Sequence, residues 1–216
     1  GAGSKAEPNH GEIPDDVYQT KDFERLLVLP QRTQAIAHHL TGYLKQNNRF
    51  AKTIVFCVDQ EHALAMRDAL ASLNADLLRK HPDYVVRITS DEGDIGRGLL
   101  GRFKDPERAT PAIATTSKLL TTGVDIPTCQ NVVLVQVINS ITEFKQIIGR
   151  GTRVSEDHGK LFFTILDYTG SAMQRFADPT FDGEPAAITQ EEMDAAGNTI
   201  AQAAEAGYDQ EDEAVG

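Results

Sequence analysis

Residues 53–58 read Thr53-Ile54-Val55-Phe56-Cys57-Val58, a continuous apolar and β-branched run bounded by polar residues. A strand with one face in water alternates apolar with polar side chains. A run without alternation suits burial on both faces, as inside a parallel sheet. Immediately downstream, Ala63, Met66, Ala69, Leu70 and Leu73 are spaced for one face of a helix over Asp59 to Leu73, which makes a strand-helix unit. The same reading predicts strands at 84–88, 112–114, 132–137 and 159–167, and a helix over 95–103. Upstream, Ile36, Leu40, Tyr43 and Leu44 predict a further helix from Gln31. Strands alternating with helices over short links give an α/β fold, a three-layer parallel sheet with helices on both faces. In such sheets ligands bind at the carboxyl ends of the strands, so the segments after Val58, Ile88, Thr115 and Val137 are where chemistry is expected.

The 216 residues suffice for one such domain with extensions. Residues 1–22 carry Gly, Pro and scattered charge without apolar period and read as a lead-in; 23–181 form the domain. Residues 182–216 are an acidic tail with two helix-compatible stretches, Gln190 to Asp194 and Thr199 to Ala206, read as a linker or docking segment. The net charge of −11 belongs to the C-terminal end: 21 acidic residues face 21 basic ones up to Arg175, and 11 acidic residues follow it. A neutral body permits a local nucleic-acid stripe without announcing one. Cys57 and Cys129 form no CxxC pair, so a disulfide or zinc site is not expected and a cytoplasmic setting is the default. No apolar run is long enough for a membrane span. His38 and His39 read as solvated or capping residues, because adjacent helical positions diverge by about 100° and no acid is near in sequence.

Two segments concentrate polar chemistry. Residues 144–153 read FKQIIGRGTR, with Gln146, Arg150 and Arg153 at i, i+4 and i+7. On a helix that spacing aligns an amide and two guanidinium groups along one face, a grip suited to phosphate. Residues 115–127 read TTSKLLTTGVDIP, combining hydroxyls, a glycine that lets a backbone approach closely, and a carboxylate. A solvated basic helix end is the plain alternative for the first of these.

The order IVFC at 54–57, ATTSKLLTTGVDIP at 114–127 and FKQIIGRGTR at 144–153 resembles conserved blocks IV, V and VI of superfamily 2 helicases and translocases. The finer wording, KTIVFCVDQEHA, SKLLTTGVD and TEFKQIIGRGTRV followed by LFFTILDYTGSA, is similar to the motor (R) subunit of Type I restriction enzymes. The resemblance implies the second RecA-like lobe of a two-lobed ATP motor. Arg150 and Arg153 then match the arginines that reach the γ-phosphate, with Gln146 as the neighbouring polar contact. Gly123 and Asp125 match the positions that meet ribose and the interlobe cleft, and Gly149 joins them in the ATP-binding set. Thr115, Thr116 and Ser117 match the DNA-backbone contacts. Phe56, Cys57 and Val58 match block IV near the strand-binding surface, although a buried strand explains them at least as well.

No GxxxxGK[ST] loop, DExH box or Asp…Glu-x-Lys nuclease constellation occurs. ATP and Mg²⁺ are therefore expected to be held mainly by a first lobe, and this chain alone is expected neither to hydrolyse ATP nor to cut DNA. The implied partners are that first lobe and a nuclease domain of the same polypeptide, the modification and specificity subunits, and double-stranded DNA, with no membrane. The alternatives are a lobe of another superfamily 2 enzyme (Type III restriction or repair translocase), or a non-catalytic DNA- or protein-binding module of the same fold. A small-molecule α/β enzyme is disfavoured, because no dinucleotide turn, nucleophile elbow or His-acid pair is present.

Overall fold

Every residue of β1 (Lys52–Phe56) is buried, and the strand sits at the centre of its sheet. The computed structural model describes residues 15–89, 92–117, 126–148, 163–170 and 187–206. Within these, β2 (Val85–Arg87), β3 (Ile113–Thr116), β4 (Cys129–Leu134) and β5 (Thr164–Asp167) join β1 in the order β2-β3-β1-β4-β5, and every pairing is parallel. Alternate residues of β1 serve different cores. Ile54 and Phe56 pack with Leu100, Phe103, Phe144 and Ile147, which belong to α5 (Gly93–Lys104) and α6 (Ile141–Ile148). Val55 and Cys57 pack with Ile36, Leu40, Met66 and Leu70 of α2 (Pro30–Gln46) and α3 (Gln60–Leu73). Two helices thus cover each face. This is why β1 carries no polar alternation.

At its amino end β1 holds a charge on apolar ground. Lys52 Nζ donates to Pro111 O at 2.6 Å and lies 5.3 Å from the centre of the Phe103 ring. Burial lowers its pKa to about 8, since the interior penalises the charged form.

The sheet order fixes one special place. From β1 the chain passes through α3 and α4 (Ala75–Leu78) to β2, on one side; from β4 it passes through α6 to β5, on the other. Because β1 and β4 are neighbours, their carboxyl ends form the topological switch point, where the connecting segments part and leave a crevice.

Several expectations are corrected. β4 spans Cys129–Leu134, so it begins and ends three residues before 132–137, and of the run 159–167 the structure shows strand only over Thr164–Asp167, residues 159–162 lying outside the described residues. The lead-in contains α1 (Asp15–Leu27). Of its apolar side chains Leu27 is buried, while Phe23 and Leu26 stay exposed, a pattern too short to show a period. The largest change concerns the tail: its two helix-compatible stretches form an antiparallel hairpin, β6 (Ala187–Met193) and β7 (Thr199–Ala206). Ala and Glu favour a helix locally, but the intervening Asp194-Ala-Ala-Gly-Asn198 is a turn. The Asp194 carboxylate accepts from Ala196 N, Asn198 N and Asn198 Nδ2, each at 2.9 Å, and Gly197 takes φ +88. Turn chemistry and docking outweighed propensity.

The hairpin docks on α2. A Cβ on Gly197 would lie 2.1 Å from Ala35 O, so only glycine permits this approach. His39 clasps the hairpin to the body: its Nδ1 is 2.7 Å from Tyr168 Oη, and its Nε2 is 2.6 Å from Glu191 Oε2. His39 is therefore paired rather than solvated, and its acid comes from 152 positions further along the chain. His38 Nδ1 lies 3.4 Å from Gly197 O. Burial, then the Glu191 charge, raises the Tyr168 phenol above its ordinary range. Among the described residues no group of three or more His, Cys, Asp or Glu could hold a metal ion, and no helix is long and apolar enough to cross a membrane.

Candidate nucleotide and nucleic-acid edge

At the switch point the main-chain ladder extends just beyond the strands. Cys57 N donates to Thr116 O at 2.7 Å, and Val135 N donates to Phe56 O at 2.9 Å. Beyond these rungs, side chains take over. The side-chain amide of Gln136, only 9% exposed, faces Cys57 O and Ser117 O; an amide oxygen there would meet only acceptors, so the nitrogen is assigned to that side, where it donates at 2.8 Å and 3.2 Å. One side chain from the segment just after β4 thus satisfies carbonyls just past the ends of β1 and β3, which would otherwise be orphaned where the strands part.

The segment after β1 is locked as well. Asp59 caps α3, its Oδ1 accepting from His62 N at 2.7 Å. His62 Nδ1 in turn accepts from Val58 N at 3.2 Å. That bond requires an unprotonated Nδ1, hence a neutral ring carrying its proton on Nε2. His62 is 3% exposed, and burial lowers its pKa, with Asp59 opposing.

A folded-state pKa below the unfolded one means that the unfolded chain takes up a proton first as pH falls. The stability linked to His62 is thus fully present above about pH 6.5 and is lost progressively below it. The melting temperature of the wild type should therefore fall more steeply between pH 7.5 and 5.5 than that of a His62→Gln variant. Equal slopes would show that His62 does not carry the acid sensitivity.

The predicted nucleic-acid contacts divide by which of their polar groups are already committed within the protein. Thr115 is fully buried and its hydroxyl donates to Ala63 O at 2.7 Å, so it ties β3 to α3 beneath the edge instead of presenting its hydroxyl outward. Cys57 is also fully buried, burial raises its thiol pKa beyond the ordinary thiol range, and its backbone N–H and C=O are engaged by Thr116 and Gln136. Val58 is half-buried, with its N–H given to His62. Thr116 is buried with a hydroxyl that has no hydrogen-bond partner, and Ser117 is 7% exposed. Thr116 and Ser117 are thus the members of this set that end β3 at the crevice.

Where the nucleotide contacts are predicted, α6 starts from a reciprocal cap. Glu143 N donates to Ser140 Oγ at 3.1 Å, and Glu143 Oε2 accepts from Asn139 N at 3.1 Å, the logic of a capping box. Phe144 and Ile147 turn into the core, which leaves Gln146 exposed. Its amide can donate to an oxygen-rich ligand, the property a polyphosphate contact requires. Gly123, Asp125, Gly149, Arg150 and Arg153 lie outside the described residues. Burial raises the pKa of Glu24 of α1, followed by the charges of Glu143 and Asp59.

Sequence reasoning missed Gln136 and His62. The signal for Gln136 was a lone amide in VVLVQVI, since a polar side chain inside an apolar run needs a partner. No comparable signal marked His62.

The helicase conserved C-terminal domain family matches residues 31–155. The Type I restriction enzyme EcoAI endonuclease subunit of Escherichia coli is 52% identical over 177 residues, covering 82% of this chain and 22% of the relative. A solved fragment described as the HsdR subunit of a type I restriction enzyme from Vibrio vulnificus YJ016 is 62% identical with a TM-score of 0.79, covering 86% of this chain and 36% of that one. Domain 2 of the Mss116p DEAD-box helicase, solved bound to an RNA duplex, shares the fold at a TM-score of 0.50 and 18% identity, covering 67% of this chain and 50% of that one. The chain therefore spans about a fifth of the EcoAI subunit's length.

Proposed function

We propose a function from one premise: the chain belongs to the helicase conserved C-terminal domain family, with residues 31–155 as the matching segment. It acts as the second motor lobe of a DNA-translocating Type I restriction R subunit in the cytoplasm. The observation that carries this reading is the high identity to two such subunits, 52% and 62%, across most of the chain. The exposed placement of Gln146 on a capped helix leaving the switch point supports it.

The residues divide the work by position. Gln146, Arg150 and Arg153, with Gly123, Asp125 and Gly149, form the half-site that closes over nucleotide and Mg²⁺ presented by a first lobe. ATP, when bound there, supplies the free energy of translocation. The arginine forks would stabilise charge on the transferred phosphoryl group without reorganising. Thr116 and Ser117 would meet the DNA backbone, while Thr115 and Cys57, with the half-buried Val58 beside them, hold that edge in place. The first lobe and nuclease domain of the same polypeptide, the modification and specificity subunits, and double-stranded DNA are the corresponding partners.

The test is reconstitution. The chain is joined to a lobe carrying a phosphate-binding loop and a DExH box, and ATP turnover is followed with and without duplex DNA. Turnover stimulated by DNA in the joined protein, and no turnover by the chain alone, is the expected result. A joined protein that binds DNA but never hydrolyses ATP would overturn the motor reading in favour of a binding module.

A further inference from the structure

The crevice at the switch point separates two working segments. On one side, Cys57 and Ser117 directly follow β1 and β3, and Ser117 precedes in sequence the segment with Gly123 and Asp125. On the other, β4 runs through 135–140 into α6, which leads to Arg150 and Arg153. Main-chain rungs join β1 to both neighbours only as far as Cys57 and Val135. Past that level, among the described residues, the Gln136 amide bridges the three strand ends, through Cys57 O at 2.8 Å and Ser117 O at 3.2 Å.

We propose that Gln136 is a positioning residue through which the DNA-facing end of β3 and the nucleotide-facing segment after β4 sense one another. The proposal rests on the motor-lobe reading above. Two hydrogen bonds from one planar amide fix the separation of two carbonyls and the side chain's own backbone at once. A displacement of Ser117 by a nucleic-acid strand must then move Gln136 or break its bond. Gln136 lies two residues beyond β4 and four before the Ser140 cap of α6, so the displacement is passed to the start of that helix. The partnerless Thr116 hydroxyl beside this contact leaves the end of β3 with a buried polar group that a strand or a water could satisfy. Small displacements are transmitted here because packed strand ends have discrete arrangements instead of deforming continuously.

The experiment uses the full-length R subunit in its assembled enzyme. Gln136→Met keeps length and apolar fit and removes both donors. Gln136→Glu keeps the shape but places an acceptor against two carbonyls until the carboxyl is protonated. For Gln136→Met, the ratio of DNA-stimulated to basal ATP turnover should fall at least tenfold, the base pairs moved per ATP should fall in parallel, and KM for ATP should be unchanged. For Gln136→Glu, the ratio should be low at pH 8 and rise as pH falls, because a protonated carboxyl regains one donor.

A merely structural amide would lower the melting temperature and leave the stimulation ratio and its pH profile at wild-type values. That outcome would overturn the proposal, as would unfolding of the lobe in both variants. Absence of DNA-stimulated turnover in the wild type would instead strike the motor-lobe reading, so the two failures are distinguishable.

Discussion

Replacing Arg153 with alanine in the full-length subunit is expected to lower DNA-stimulated ATP turnover by about 10³-fold or more while DNA binding is retained. The size follows from the task. An arginine that stabilises charge on a transferring phosphoryl group is worth roughly 10³–10⁵ in turnover, about 4–7 kcal/mol. Gln146 sets the register for this expectation: it lies on the exposed side of α6, and Arg150 and Arg153 follow at i+4 and i+7 from it. Arg153→Lys should rescue little, because an ammonium keeps the charge but not the planar fork. Steady-state turnover and filter retention of a DNA duplex, measured on the same preparations, separate the two activities. Retained turnover in Arg153→Ala would remove Arg153 from the proposed half-site.

The second large effect concerns the foundation of that half-site. Phe144→Ala is expected to destabilise the lobe by about 3–5 kcal/mol, the usual cost of emptying a buried aromatic site. Phe144 has no exposed surface and packs in the core beneath α6 with Ile138 and Ile147. A domain of this size has about 5–15 kcal/mol in total, so a melting-temperature drop of about 10 °C or more is expected. Gln146→Ala, two positions along the same helix but exposed, should change stability by no more than about 0.5 kcal/mol. Urea midpoints of the isolated lobe measure both. Comparable losses in the two variants would contradict the division of α6 into a buried and an exposed face.

How legible each part was depended on the range over which its physics acts. The buried centre strand was readable because a run such as Ile54-Val55-Phe56-Cys57 lacks polar alternation, and burial on both faces is the condition that tolerates this. The placing of Gln146 on a polar helix face came from its i, i+4, i+7 spacing with Arg150 and Arg153, and the structure leaves Gln146 exposed. The tail was misread because Ala and Glu speak for a helix over seven or eight residues, whereas the turn at Asp194–Asn198 and the contact of Gly197 with Ala35 depend on the finished surface of α2. The pairing of His39 was hidden for the same reason, since its partners Tyr168 and Glu191 lie 129 and 152 positions away.

By itself the sequence determined a parallel α/β lobe and named candidate side chains of a type suited to phosphate, because periodicity and side-chain type act locally and survive in a one-dimensional reading. Only the tertiary structure decided which polar groups at the strand ends are already committed. It turned Thr115 inward to Ala63, spent the Cys57 backbone on Thr116 and Gln136, and made Gln136 the link across the switch point. Hydrogen bonds between strand ends depend on sheet order and register, and these are set by packing between segments far apart in the chain.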